Sequence, residues 1–215
     1  MLVKERMSHP VITVHPELPI QEALKRMREE HVRRFPVVDK RGRLIGIVSE
    51  RDLLHAAPSD ATSLNIWEVH YLVSKITVEK VMTRKVTTIT EDTPLEEAAR
   101  IMADQKIGAL PVMRDGDVVG IITETDLFKV LLEMTAAREP GVRLDVLVPK
   151  AAGELAKLTR AIYDAGGNIL ALGTFLGESS ENLEVTIKVS DLDSKVLVSS
   201  IEPLVERILD LRESG

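Results

Sequence analysis

The chain has 215 residues, 44% of them hydrophobic and 29% charged, enough for one large domain or two small ones. A formal net charge of -6 and an aromatic content of 3% argue against a basic nucleic-acid surface and an aromatic platform for single strands. With no cysteine present, disulfides, thiol catalysis and Cys-ligated zinc are excluded.

The opening Met1-Leu2-Val3-Lys4-Glu5-Arg6 lacks the apolar core of a signal peptide. No uncharged apolar run reaches the roughly 18 to 20 residues that cross a bilayer, so a cytoplasmic protein without membrane contact is expected. Val11 to Val14 is rich in β-branched residues and reads as a strand. Pro19 suits the first turn of a helix, and Ile20, Ala23, Leu24 and Met27 recur at helical spacing. Two apolar strands follow, Pro36-Val37-Val38 and Leu44 to Val48, joined by the turn Asp39 to Arg43. A helix then starts near Glu50 and ends before Pro58. From Ser63, an N-cap candidate, Leu64, Trp67, Tyr71 and Leu72 share one helical face, which predicts a connecting helix with its aromatics in a core.

The pattern then repeats. Met7-Ser8 aligns with Met82-Thr83, Val11 to Val14 with Val86 to Ile89, and Pro19 to Ala23 with Pro94 to Ala98. Phe35-Pro36-Val37 aligns with Leu110-Pro111-Val112, after which the second copy loses one residue in its hairpin turn, Asp115-Gly116-Asp117. Its last helix is expected from Asp126 to about Ala137. Each copy ends its strands with the same phrase: Gly46-Ile47-Val48-Ser49-Glu50-Arg51-Asp52 and Gly120-Ile121-Ile122-Thr123-Glu124-Thr125-Asp126. A hydroxyl followed three residues later by a carboxylate is capping-box spacing, so Ser49 and Thr123 are expected to cap helices. Such a helix start also suits a phosphate, with the Asp left to accept from sugar hydroxyls. The two readings are compatible.

Arg138-Glu139-Pro140-Gly141 breaks the pattern, and no third copy follows. Val142 to Val148 alternates as a strand, Leu155, Leu158, Ile162 and Ala165 mark a helix, and Gly166-Gly167 ends it. Strands are predicted over Asn168 to Phe175 and Leu183 to Val189, and Asp191 to Ser194 opens a second helix. Val205 to Leu211 fits either a strand or a helical extension. Pro203 favours an interruption, so the strand is chosen, which gives β-α-β-β-α-β.

Phosphate-loop, dinucleotide-binding and nucleophile-elbow motifs are missing. His9, His15, His31, His55 and His70 show no ligand spacing, so neither a metal nor a catalytic set is expected.

The doubled phrase, the apolar-Pro-Val step before it and the Thr-apolar strand starts make residues 4 to about 137 resemble a tandem pair of CBS domains. Gly153-x-Leu155 entering one helix and Gly167-Asn168-Ile169 entering a strand make residues 142–215 resemble an ACT domain. The whole order is similar to acetoin-utilisation B-type proteins. The resemblance implies an α/β (α+β) architecture: CBS repeat 1 over 1–57, a connecting helix over 58–77, CBS repeat 2 over 78–138, a linker over 139–141, and a ferredoxin-like ACT domain over 142–215. It implies two clefts for adenine nucleotides (AMP, ADP or ATP) as regulatory ligands, with no cofactor. Asp52 and Asp126 would hold ribose, and Ser49 and Thr123 would face phosphate. Thr13, Thr88 and the backbone around Phe35-Pro36 and Leu110-Pro111 would frame adenine.

The copies differ. Copy one carries Arg33-Arg34 and Arg51 where copy two has Gly108-Ala109 and Thr125, so copy one suits a more anionic ligand, unless these arginines are solvated surface charge. Gly108 would let a base approach its backbone, and Arg84-Lys85 reads as surface. In the ACT-like part, Gly153, Leu155, Asn168 and Ile169 are the positions carried over for a second small ligand. The loop Pro149 to Gly153 lacks the acidic residue and Pro-Gly step common in that family. Three readings stand: a non-enzymatic nucleotide sensor that dimerises and signals to a partner protein; a nucleotide-processing enzyme with a divalent metal near Asp52 or Asp126; and a structural dimerisation module.

Overall fold

A computed structural model describes residues 1–56 and 75–214, divided into two compact units, Met1–Leu127 and Phe128–Gly215. The predicted connecting helix with Ser63, Trp67 and Tyr71 lies outside the described residues, apart from its final Lys75 to Thr77.

In the first unit, copy one consists of α1 (Ile20–Glu29), β1 (Arg34–Val38), β2 (Leu44–Ser49) and α2 (Glu50–His55). Copy two opens with the short α3 (Val78–Val81) and continues through β3 (Ile89–Thr90), α4 (Leu95–Gln105), β4 (Ala109–Arg114), β5 (Asp117–Thr123) and α5 (Glu124–Met134), whose residues from Phe128 onward belong to the second unit. Ile20, Ala23 and Met27 line the buried face of α1, and Leu95, Ala98 and Met102 do the same on α4. This spacing points three side chains to one side of a helix. Strands β1 and β2 pair antiparallel, as do β4 and β5. Asp115 and Gly116 both take positive φ, 52° and 94°, the geometry of a two-residue hairpin turn.

The first predicted strand is a correction. Of Val11 to Val14, only Val14 joins a sheet, through one parallel bridge to Val37. Its counterpart is the two-residue β3, which pairs parallel with β4. Ile12 packs against the core without entering a ladder. Helix α5 also begins two residues earlier than predicted, directly after Thr123.

Each copy borrows its opening turn from the other. The amides of Val3 and Lys4 donate to the Thr93 and Glu91 carbonyls at 3.0 and 2.9 Å, and Val3 is fully buried. Reciprocally, Val78 N donates to Leu18 O at 2.9 Å, and Val78 and Met82 sit in the copy-one core with Phe35, Val37, Val48 and Leu53. The exchange reaches the repeated phrases. Ile47 and Thr83 trade backbone hydrogen bonds at 3.0 and 2.9 Å, and Ile121 and Ser8 trade them at 3.2 and 2.9 Å. A methyl on Gly46 would overlap Met82 Sδ, and one on Gly120 would overlap Met7 Sδ.

The second unit runs β6 (Gly141–Pro149), α6 (Glu154–Asp164), β7 (Asn168–Leu176), β8 (Asn182–Ser190), α7 (Ser194–Ile201) and β9 (Arg207–Ser214). This is the β-α-β-β-α-β order read from the periodicity. The sheet order β7-β8-β6-β9 is wholly antiparallel, the arrangement of a split βαβ sandwich. One sheet face, with Val142, Leu144, Val146, Val185, Ile187 and Val189, shares a core with Leu158 and Ile162 of α6 and Leu197 and Ile201 of α7. Asp193 caps α7, and a 3-10 turn at Glu202–Leu204, carrying Pro203, separates α7 from β9. On the other face Asp145, 7% exposed, accepts from Thr186 Oγ1 at 2.7 Å and pairs with Arg143 at 2.6 Å.

Candidate functional site

In both repeated phrases the carboxylate bonds back to the hydroxyl residue three positions earlier, and the first phrase completes the capping box its spacing predicts. Ser49 lies at the end of β2 in extended backbone, and its Oγ accepts the amide of Asp52 at 3.3 Å. Asp52 reaches back: its Oδ2 accepts from Ser49 N at 2.8 Å and from Ser49 Oγ at 2.6 Å. Asp126 Oδ2 accepts from Thr123 N at 3.0 Å and from Thr123 Oγ1 at 2.8 Å. Asp126 is 7% exposed, and Asp52 is half-buried.

Beside the first phrase is a cavity of about 290 Å³. Copy one contributes Arg34, Ile47, Ser49 and Asp52. Copy two contributes two segments, Thr83 with Lys85 to Thr87, and Lys106 to Ala109. The exchange of backbone bonds between Ile47 and Thr83 brings the first segment there. Within each repeat a matching bond joins the helix start to the opening of the first strand: Glu50 N donates to Arg33 O at 2.9 Å, and Glu124 N donates to Gly108 O at 3.3 Å. The Arg34 guanidinium and the Glu124 carboxylate occupy the space a side chain at Gly108 would need. Gly108 therefore makes room for Arg34, where the sequence suggested room for a base.

Of the residues singled out from sequence, the structure gathers Arg34, Ser49, Asp52, Gly108 and Ala109 in this cavity. The others stand elsewhere. Phe35, Pro36, Leu110 and Pro111 are buried on β1 and β4, where Phe35 and Leu110 are fully enclosed. Arg51 is exposed, and Arg33 lines a different hollow with Arg28, His31 and Glu50. Thr88 is exposed, while its neighbour Thr87 faces the cavity. Thr123 and Asp126 belong to the opposite end of the pseudo-symmetric pair, with Ser8 bonded to Ile121 as Thr83 is to Ile47, and Thr13 is half-buried just before Val14. Sequence reasoning missed Thr83, Val86, Thr87, Lys106 and Ile107, and it assigned Lys85 to the surface. The alignment of Thr83 with Ser8 was the available signal, but it does not say which phrase each segment meets.

In the second unit, Asn168 donates to Ser190 Oγ at 3.3 Å, and Leu155 and Ile169 pack against the core. Gly153 precedes α6 at φ 90°. None of these lines the unit's cavity of about 780 Å³, which is walled by Leu131, Met134, Phe175, Thr186 and Lys188 among others. Among the described residues, no three His, Asp or Glu side chains converge as a metal site. No described helix is long and apolar enough to cross a membrane.

Residues 3–59 and 78–133 match the family model of the CBS domain. The CBS domain pair of protein MJ0100, solved in complex with 5-methylthioadenosine and S-adenosyl-L-methionine, is similar to this chain with a TM-score of 0.52 at 31% identity, over 65% of this chain and 98% of that one. A Vibrio cholerae protein assigned to acetoin utilization (AcuB) gives 0.52 at 32% identity, over 65% and 98%. CBSX2, solved in complex with AMP, gives 0.52 at 27% identity, over 62% and 97%. L-aspartate semialdehyde sulfurtransferase of Methanocaldococcus jannaschii is 35% identical over 127 residues, 59% of this chain, and the match spans 22% of that enzyme's length.

Proposed function

The chain belongs to the CBS-domain family, and on that premise we propose that it is a non-enzymatic regulatory protein that binds an adenine nucleotide in the cleft beside Ser49 and Asp52. One observation carries the reading. A half-buried carboxylate and a hydroxyl from one repeat line the same cavity as two threonines and two lysines from the other. Oxygen acceptors beside cationic donors suit the two ends of a nucleotide. A carboxylate accepts from a ribose diol, and ammonium groups meet phosphate. The adenosine ligands of the MJ0100 pair and of CBSX2 point to the same class.

Because the cleft is assembled from both repeats, a ligand there favours whichever arrangement of the pair it binds better. The output goes to a partner protein. The C-terminal unit serves as an ACT domain, joining two chains and offering a place for a second small ligand. Its strand order and sheet order support that assignment. A cytoplasmic setting and a role in acetoin utilisation complete the reading, the latter supported by the similarity to the Vibrio cholerae protein.

Thermal denaturation of the full chain with adenosine, AMP, ADP, ATP and S-adenosylmethionine tests it. A ligand at 100 times its Kd adds about 2.7 kcal/mol, a readable rise in Tm. Loss of that rise in Asp52→Ala is expected. No rise with any of the five ligands refutes the proposal, and conversion of a nucleotide to product replaces it with the enzyme reading.

A further inference from the structure

The two phrases are alike, but the positions around them differ in charge. The cavity beside Asp52 is lined by three cationic side chains, Arg34, Lys85 and Lys106. In the repeat alignment their counterparts at the Asp126 end are Ala109, Pro10 and His31. Backbone geometry supports the equivalence. Lys106 and His31 share an uncommon positive φ, 55° and 53°, and Thr83 and Ser8 make the same paired bonds. Two carboxylates lie among these cations: Asp52, turned back to Ser49, and Glu124, beside Arg34 above Gly108. Gly108 and Ala109, which also line the Asp52 cavity, have Arg33 and Arg34 as their counterparts, so Arg34 is common to both ends and the Asp126 end exchanges the two lysines for Arg33. Arg33 lines a hollow with Arg28, His31 and Glu50 that includes neither Thr123 nor Asp126.

Resting on the nucleotide reading above, we propose that the Asp52 cleft is the polyphosphate site of the pair and selects adenosine ligands carrying two or three phosphates. The ribose lies at Asp52, and the phosphate chain runs to Lys85, Lys106 and Arg34. A triphosphate brings about four negative charges to cations that compact ammonium and forked guanidinium groups can each engage. Adenosine gains nothing from them, and the sulfonium of S-adenosylmethionine is repelled. Lys85 and Lys106 are exposed, so they meet the solvated end of a ligand, where its phosphates would be.

Titration calorimetry on the full chain tests this, with adenosine, AMP, ADP, ATP and S-adenosylmethionine as probes. Asp126→Ala serves as the background, to isolate the Asp52 cleft. Affinity is expected to climb from adenosine to ATP by about tenfold or more, the effect of one or two charge-assisted contacts. In Lys85→Gln/Lys106→Gln that preference should collapse to about threefold or less, and Lys85→Arg/Lys106→Arg should keep it. A preference that survives the Gln pair, or adenosine binding as tightly as ATP in the parent, overturns the assignment and leaves the sensor reading intact. Absence of binding by every probe overturns both.

Discussion

The carboxylate of Asp52 holds Ser49 twice through a single oxygen: Oδ2 accepts the Ser49 amide at 2.8 Å and its hydroxyl at 2.6 Å. The residue offered to a ligand's ribose is thus also a helix cap. In the unliganded chain, Asp52→Ala should lower stability by about 0.5–2 kcal/mol. Asp126→Ala should cost at least as much, since Asp126 is more deeply buried. Urea denaturation without nucleotide measures this cost, and ligand effects must be read on top of it. Variants as stable as the parent would mean that the caps contribute nothing.

Gly46 and Gly120 mark where each phrase meets the other repeat's methionine. A methyl at either position collides with Met82 or Met7, and Gly46 also faces the Thr83 carbonyl. Gly46→Ala and Gly120→Ala should each destabilise by about 1–3 kcal/mol, as over-packing does. If the methionines are the cause, Gly46→Ala/Met82→Ala should fall short of the sum of its parts. Additive costs in that double-mutant cycle would point to another cause.

Asp145 and Thr186 make a polar pair on the open face of the C-terminal sheet. Asp145→Ala strands the Thr186 hydroxyl and removes one carboxylate from Arg143, which keeps Asp210 at 2.9 Å. A loss of about 1–3 kcal/mol is expected. Adding Thr186→Val should recover part of it, because an apolar pair leaves no orphaned donor. Chemical denaturation of the two variants decides between recovery and none.

Asp39 organises the turn between β1 and β2, accepting from the Arg41 and Arg43 amides at 2.8 and 3.0 Å and from Arg43 Nε at 2.8 Å. The hydrogen bond from the Arg43 side chain is the main reason its carboxyl lies below the ordinary carboxylate range. The charged form is favoured in the fold, so the stabilisation is complete above the unfolded pKa, about 3.9, and disappears as pH falls through the lowered folded value. Melting curves of parent and Asp39→Asn should differ near pH 7 and converge in acid. A gap independent of pH would contradict this sign.

What could be read from the sequence was local. The spacing from Ser49 to Asp52 writes a cap into four consecutive residues, and Gly166-Gly167 writes a helix end, so both were found where the pattern put them. The six elements of the C-terminal unit followed because each strand or helix carries its own period. The cleft was only half legible. Asp52 and Ser49 announce themselves, but Thr83, Lys85 and Thr87 reach them across a sequence gap, by pairing with a strand of the other repeat. Lys85 looks like any surface lysine until that pairing is known. Val11 to Val14 failed for the same kind of reason: β-branched residues favour extended backbone, but a partner strand decides whether a ladder forms, and only Val14 has one.

The traded opening turns bear on how such a protein could have arisen. A lone repeat would lack the segment that fills its core at the Val78 and Met82 positions, and would have to take it from a second molecule. The ancestor that this geometry suits is two identical chains clasped by their leading ends. Fusing them turned an encounter between molecules into a tethered one, whose strength no longer depends on concentration. Fusion also released the halves from identity, so that lysines could accumulate at one end of the pair while proline and histidine took the matching places at the other.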